Sequence, residues 1–184
     1  MKSFTTLLMV MTLFAWLTNG AAPGAAAEAL KVGDPAPDFS LQGSDGKTYK
    51  LSDFKRKKAV VLAWFPKAFT GGCTAECKSL RESGKEVRKF DVAYFTISVD
   101  PVEGEKGNKA FAKSLDLDYP ILSDPTKETA KAYGVLSERS LANRWTFYIG
   151  KDGKILFIDE KVNFKAHGAD VAAKLKELGV AEKK

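Results

Sequence analysis

Cys73 and Cys77 are the only thiols of the 184-residue chain, and Thr74-Ala75-Glu76 separates them. The segment Pro66-Lys67-Ala68-Phe69-Thr70-Gly71-Gly72 leads directly into the first of the two. The thiolate is the reactive form of cysteine. The start of a helix favours it, because unpaired backbone N–H groups and the positive end of the dipole lie there. Gly71 and Gly72 carry no side chain, so a small substrate could come close to the backbone. A thiolate with N–H donors and the Thr70 hydroxyl nearby suits attack on an electrophilic oxygen or sulfur. Helical side chains four apart hold their Cβ atoms about 5–6 Å apart, whereas a disulfide needs about 3.5–4.5 Å. A Cys73–Cys77 bond therefore requires the first helical turn to unwind, and so small a loop would add little as a structural staple.

Other chemistries are poorly supplied. The single histidine, His167, and two cysteines cannot build a four-thiolate or two-thiolate, two-imidazole zinc site without carboxylates. His167 falls in the polar stretch Asn163-Phe164-Lys165-Ala166-His167-Gly168 and reads as a surface loop or cap residue before the last helix. The net charge of +6 is spread along the chain, and the basic run Lys55-Arg56-Lys57-Lys58 lacks interleaved aromatics. It reads as a solvated loop, so no nucleic-acid partner is expected. A hydrophobic content of 45% against 28% charged residues excludes a disordered chain.

Residues 1–27 read as a leader. Lys2 supplies a positive start, Phe4 to Leu17 is an uncharged apolar run, and small residues from Ala21 to Ala27 follow Asn19-Gly20. That is the order of a cleavable secretory signal. The run of 14 residues is shorter than the roughly 20 that span a bilayer. Cleavage after Ala27, or alternatively after Ala29, would leave one domain, 28–184 in the first case, exported to a compartment such as the bacterial periplasm and not stably held by a membrane. An oxidising compartment also makes a disulfide between the two cysteines chemically reasonable.

The elements that must position Cys73 follow from apolar patterning. Ala59 to Phe65 and Val92 to Ser98 are apolar runs rich in β-branched and aromatic residues, as in strands buried on both faces. Thr74 to Phe90 has helical spacing with a break at Gly84. Gly107 to Leu115, Thr126 to Tyr133 and Gly168 to Leu178 read as further helices, and Tyr119 to Leu122 as a short strand. Turn residues at Gly43-Ser44-Asp45-Gly46 and Gly150-Lys151-Asp152-Gly153 place one hairpin near the N-terminus and another after the βαβ units. The fold class is α/β, a mixed central sheet with helices on both faces and an N-terminal β-hairpin.

At several separated places the chain resembles the peroxiredoxins. Pro66-x-x-x-Thr70-x-x-Cys73 is similar to their P-x-x-x-T-x-x-C signature, and Cys73-Thr74-x-Glu76 to the C-T-x-E of the Q type, the bacterioferritin-comigratory-protein-like members. Arg144-Trp145-Thr146-Phe147 resembles the strand start that carries the family's active-site arginine. Val32-Gly33-Asp34-x-Ala36-Pro37-x-Phe39 resembles the family's opening, and Ser98-Val99-Asp100 the end of its second strand. The resemblance implies a thioredoxin-like fold and a thiol-dependent peroxidase that needs no metal or organic cofactor. It implies that Cys73 attacks a peroxide oxygen and becomes a sulfenic acid. Thr70 would orient thiolate and peroxide, Arg144 would favour the thiolate and stabilise charge as the O–O bond breaks, and Pro66 would shield the sulfur from water. The backbone N–H groups of Gly72 and Cys73 would hold the peroxide. Trp64, Phe65, Phe69 and Trp145 are candidate walls of the site, with aromatic core the commoner reading of any one of them. Many Q-type members carry the resolving cysteine five residues after the nucleophile. Here Cys77 comes four after it and is the candidate for that role. The implied partners are a peroxide and a thioredoxin-like or other thiol reductant.

Two other readings are weighed against this one. A thioredoxin-like thiol–disulfide oxidoreductase would want Cys-x-x-Cys, and here three residues intervene. A Sco-like copper-binding protein would use Cys-x-x-x-Cys plus a distant histidine, two thiolates and an imidazole being a reasonable copper set. In that family the histidine precedes the late strand, where this chain has Arg144.

Overall fold

The computed structural model describes residues 29–183, and the leader read at 1–27 lies outside the described residues. Strands β1 (Ser40–Gly43) and β2 (Thr48–Lys50) form the expected N-terminal hairpin. Its turn is closed by Gly46, whose left-handed φ of +83° suits a residue without Cβ. A 3-10 turn over Leu51–Phe54 leads through the basic loop to β3 (Ala59–Trp64), all six residues of which are buried. There follow α1 (Gly71–Glu82), the short α2 (Gly84–Val87), β4 (Val92–Ser98), α3 (Asn108–Ser114), β5 (Ile121–Ser123) and α4 (Glu128–Ala132). The chain ends with β6 (Thr146–Ile149), β7 (Ile155–Asp159) and α5 (His167–Glu177).

The strands form one seven-stranded sheet in the order β2-β1-β5-β4-β3-β6-β7. β3, β4 and β5 are parallel, whereas β6 runs antiparallel to β3 and β1 antiparallel to β5. Alternation along β3 explains the two layers. Val60, Leu62 and Trp64 pack with Phe95, Phe147 and Ala130 of α4, while Val61 and Ala63 pack with Leu80, Val87, Val171 and Leu175. One face is thus covered by α4 and the other by α1, α2 and α5. A third cluster unites Phe65, Ala68, Cys73 and Cys77 with Phe111, Leu115 and Ile121 beyond the end of β3.

Element limits differ from the sequence reading where local chemistry intervenes. Helix α1 starts at Gly71, before the apolar periodicity does, because Thr70 is extended and its carbonyl accepts the Thr74 N–H at 2.9 Å. The short strand starts at Ile121 rather than Tyr119, since Pro120 has no N–H to pair. At the start of α5, a Cβ on Gly168 would overlap the Ser79 carbonyl, and the Gly168 N–H donates to Ser79 Oγ at 3.0 Å. Close approach at this glycine seats α5 directly on α1.

Candidate active site

The loop between β3 and α1 is tied to the ends of the neighbouring strands. Phe65 N–H continues the sheet by donating to Ile97 O at 2.9 Å, and Ala68 N–H donates to Asp100 Oδ2 at 2.8 Å. Ser98 Oγ, which donates to the same carboxylate at 3.0 Å, in turn accepts from buried Asn108 Nδ2 at 3.0 Å. Asn108 Nδ2 also reaches Ser123 Oγ at 2.8 Å, so β4, β5, α3 and the loop share one buried polar network. Phe69 takes a left-handed φ of +60°, unusual for a residue with a side chain, and its ring lies 4.9 Å from that of Phe111 while staying largely exposed. Thr70 stands at the N-cap position of α1, but its hydroxyl donates back to Lys67 O at 2.9 Å and makes no cap bond to the helix. Cys73 sits in the first turn, where the N–H groups of Gly72 and Cys73 have no intrahelical acceptor.

Arg144 reaches this turn from the start of β6. The hydrogen bond from Trp64 N–H to Trp145 O, 2.8 Å, sets that segment against the end of β3. Arg144 Nη2 donates to Cys73 Sγ at 3.4 Å, although 71 residues separate the two in the chain. Its other terminal nitrogen, Nη1, pairs with Glu76 Oε2, and the Phe164 ring lies 5.5 Å from the guanidinium carbon. A Cβ on Gly72 would stand 3.3 Å from Arg144 Nη2, so this glycine leaves room for the guanidinium as well as for a substrate.

Behind the arginine lies a buried polar group that the sequence reading did not assemble. Glu76 Oε1 is 2.9 Å from His167 Nδ1, and His167 Nε2 is 2.9 Å from Thr146 Oγ1. All three side chains are essentially without solvent exposure. His167 is therefore not the surface loop residue expected from its polar surroundings. The approach of Gly168 to Ser79 carries it under α1. Burial pushes its imidazole down to about 4, against the opposing pull of Asp159 and Asp170, and the Arg144 charge adds to the lowering. With Glu76 already matched by Arg144, a proton on His167 would place a net positive charge in the interior.

The remaining candidates divide. Pro66 and Arg144 line one shallow groove with Leu136, Ala142 and Asn143, whereas Cys73 itself is only 1% exposed. Phe65 packs in the same cluster as Cys73. Trp64, a candidate wall of the site, packs instead in the core on the opposite face because alternation along β3 turns it away from α1, and the half-buried Trp145 packs against that same core. Cys77 is fully buried in an intact helix, its carbonyl accepting from Tyr119 Oη at 3.0 Å. Burial pushes its thiol up to about 12. Both cysteines are free. Among the described residues no three His, Cys, Asp or Glu side chains are grouped to hold a metal ion. Glu76 could have been found from its position three residues after Cys73, on the same helix face. Nothing local marked His167 or Thr146.

A thioredoxin-like sheet that brings a helix-start cysteine under an arginine from another strand belongs to the class of cysteine-based redox proteins. Residues 32–158 match the AhpC/TSA family, and the chain belongs to it. Alkyl hydroperoxide reductase E of Mycobacterium tuberculosis (strain H37Rv) is 37% identical over 135 residues, 72% of this chain and 86% of that protein. Peroxiredoxin Bcp of Bacillus subtilis (strain 168) is 34% identical over 156 residues, 81% of this chain and 97% of that one. The crystal structure of peroxidoxin BcpB from Mycobacterium tuberculosis superposes with a TM-score of 0.71 at 33% identity, covering 80% of this chain and 97% of that one. Within the family the chain is a Q-type, Bcp-like peroxiredoxin, a thiol-dependent peroxidase with the expected thioredoxin-like fold.

Proposed function

We propose that Cys73 is the peroxidatic nucleophile and that the chain reduces hydrogen peroxide and organic hydroperoxides with thiol equivalents. The observation that carries this reading is the 3.4 Å contact between Arg144 Nη2 and Cys73 Sγ. The Cys73 thiolate attacks one peroxide oxygen, the S–O bond forms as the O–O bond breaks, and a sulfenic acid results. The departing oxygen takes a proton and leaves as water or alcohol. Arg144 stabilises the thiolate and then the charge spreading over the breaking bond, for which its fixed planar donors suit. Thr70, having donated its own proton to Lys67 O, keeps lone pairs free to accept from the peroxide O–H. The N–H groups of Gly72 and Cys73 hold the peroxide oxygens, and Pro66 keeps bulk water from the sulfur. Since Cys73 is 1% exposed, a peroxide reaches it only with a local displacement of the surrounding side chains.

Cys77 then attacks the sulfenic sulfur, expelling water and forming a disulfide that an outside dithiol reduces. A buried thiol held at about 12 is a poor nucleophile, so resolution follows unwinding of the start of α1. The burial of Cys77 equally favours a cycle in which an outside thiol reduces Cys73 directly. Intact mass after one equivalent of peroxide, with turnover measured beside it, decides between them. Cys77→Ser is expected to gain one oxygen as fast as the parent but to stay there and lose most of its turnover with a dithiol donor. Undiminished turnover would leave Cys77 outside the cycle.

The leader supports export, with cleavage after Ala27 and work outside the cytoplasm. Amino-terminal sequencing of the protein made in a secreting bacterial host is expected to read Glu-Ala-Leu from position 28. An amino terminus at Met1 in the cytoplasmic fraction would contradict export.

A further inference from the structure

Behind Arg144 the polar side chains stand in close succession: Glu76 lies within ion-pair distance of Arg144 and His167, and His167 is hydrogen-bonded to Thr146. Cys73 and Glu76 project from one face of α1, being three residues apart. Arg144 precedes by two residues Thr146, the first residue of β6, in a segment that the Trp64 N–H to Trp145 O bond sets against β3, and the two side chains come to Glu76 and His167 respectively. His167, at the first position of α5, closes the space between Glu76 and Thr146. Each Glu76 oxygen thus has one neighbour, Oε1 the imidazole and Oε2 the guanidinium.

We propose that His167, fixed in one tautomer by Thr146, is a positioning residue that orients the Glu76 carboxylate and through it aims Arg144 at Cys73. The 2.9 Å approach of His167 Nδ1 to Glu76 Oε1 is a close contact rather than an aligned hydrogen bond, and a small turn of the carboxylate completes it; an ionised carboxylate only accepts, so Nδ1 then carries the proton. That makes Nδ1 the donor and leaves Nε2 an acceptor, which the Thr146 hydroxyl satisfies by donating at 2.9 Å. Glutamate has three rotatable bonds. Without the imidazole, its carboxylate could turn and let the guanidinium swing off the sulfur. The close seat of Gly168 on Ser79 removes that freedom on the α5 side. His167 touches neither sulfur nor substrate. The whole effect passes through Glu76 and Arg144, and the inference rests on the reading of Cys73 as the nucleophile.

Because the chain has one histidine, untagged protein labelled with 15N-histidine reports a single imidazole. At pH 7 we expect a neutral ring protonated on Nδ1 and bare on Nε2. A ring protonated on Nε2, or a charged ring, overturns the proposal. His167→Leu fills the space without a donor, whereas His167→Asn keeps an N–H where Nδ1 stands. The single-turnover rate of Cys73 oxidation by hydrogen peroxide is expected to fall about 10- to 100-fold in the leucine variant, as when outer partners of metal ligands are lost. The asparagine variant is expected to recover most of that rate. Equal slowing of both variants, or no slowing of a folded leucine variant, refutes positioning. Should the leucine variant not fold, Thr146→Val decides, since it keeps its volume but cannot donate. It must raise the Nε2-protonated population and slow Cys73 oxidation, and failure of either sinks the idea. Cys73→Ser run in parallel separates the two layers. If it is inactive while the His167 variants are unimpaired, only the positioning role fails; if it stays active, the underlying site reading fails.

Discussion

Cys73→Ser is expected to bring peroxide consumption with a thiol donor down to background, a loss of several orders of magnitude of the kind seen when a catalytic nucleophile is removed. The substitution changes one atom. An alcohol oxygen holds its proton far more tightly than sulfur, and a neighbouring guanidinium cannot ionise it at neutral pH. Folding should survive. Arg144 Nη2 can donate to a hydroxyl at residue 73 as it does to the sulfur, and the apolar neighbours Phe65, Ala68 and Phe111 see a side chain of similar size. Peroxide loss over time, with intact mass before and after exposure, checks the expectation. The variant should gain no oxygen, and the buried Cys77 should stay reduced, because its thiol is held neutral inside the folded helix. Retained turnover, or oxygen appearing on Cys77, would move the chemistry away from residue 73.

Much of this arrangement was legible in the residues because it is written locally. The uninterrupted apolar run at 59–65 marked the central strand, and the turn residues marked both hairpins. The Thr-Gly-Gly-Cys order placed the cysteine at a helix start, and Arg144 stood out beside a strand resembling a known one. What was missed depends on tertiary approach. His167 sits among polar neighbours, and a window around it gives only a loop or cap. Its burial follows from Gly168 meeting Ser79, a contact between residues 89 apart that no periodicity reports. Thr146 reads as an ordinary strand residue until an imidazole stands over it. Trp64 failed in the opposite way. It lies next to the loop between β3 and α1 in the chain, yet strand alternation sends it to the far face. Nearness in sequence was a poor guide wherever a strand intervened.

Arg144→Leu is expected to lower the second-order rate of Cys73 oxidation about 10²- to 10³-fold, the usual loss when one preorganised donor to developing charge is removed. Loss of the contact from Arg144 Nη2 to the sulfur should also appear as slower alkylation of Cys73 by iodoacetamide at pH 7. A simple activity loss would be ambiguous, because Glu76 is left behind as a buried charge without its cation. Breaking one side of a buried pair costs about 3–5 kcal/mol, enough to unfold a small domain in part. Arg144→Leu combined with Glu76→Gln removes that charge and should restore stability in a denaturant titration. If Arg144 acts on the sulfur, the double variant regains its folding but not its rate. If the rate returns with the stability, the arginine only neutralised Glu76. Arg144→Lys sharpens the distinction. A single ammonium can sit beside the carboxylate or the sulfur, but it lacks the planar fork that contacts Cys73 with one nitrogen and Glu76 with the other. It should therefore fold well and oxidise slowly, which identifies the shape of the guanidinium, and not its charge alone, as what the site requires.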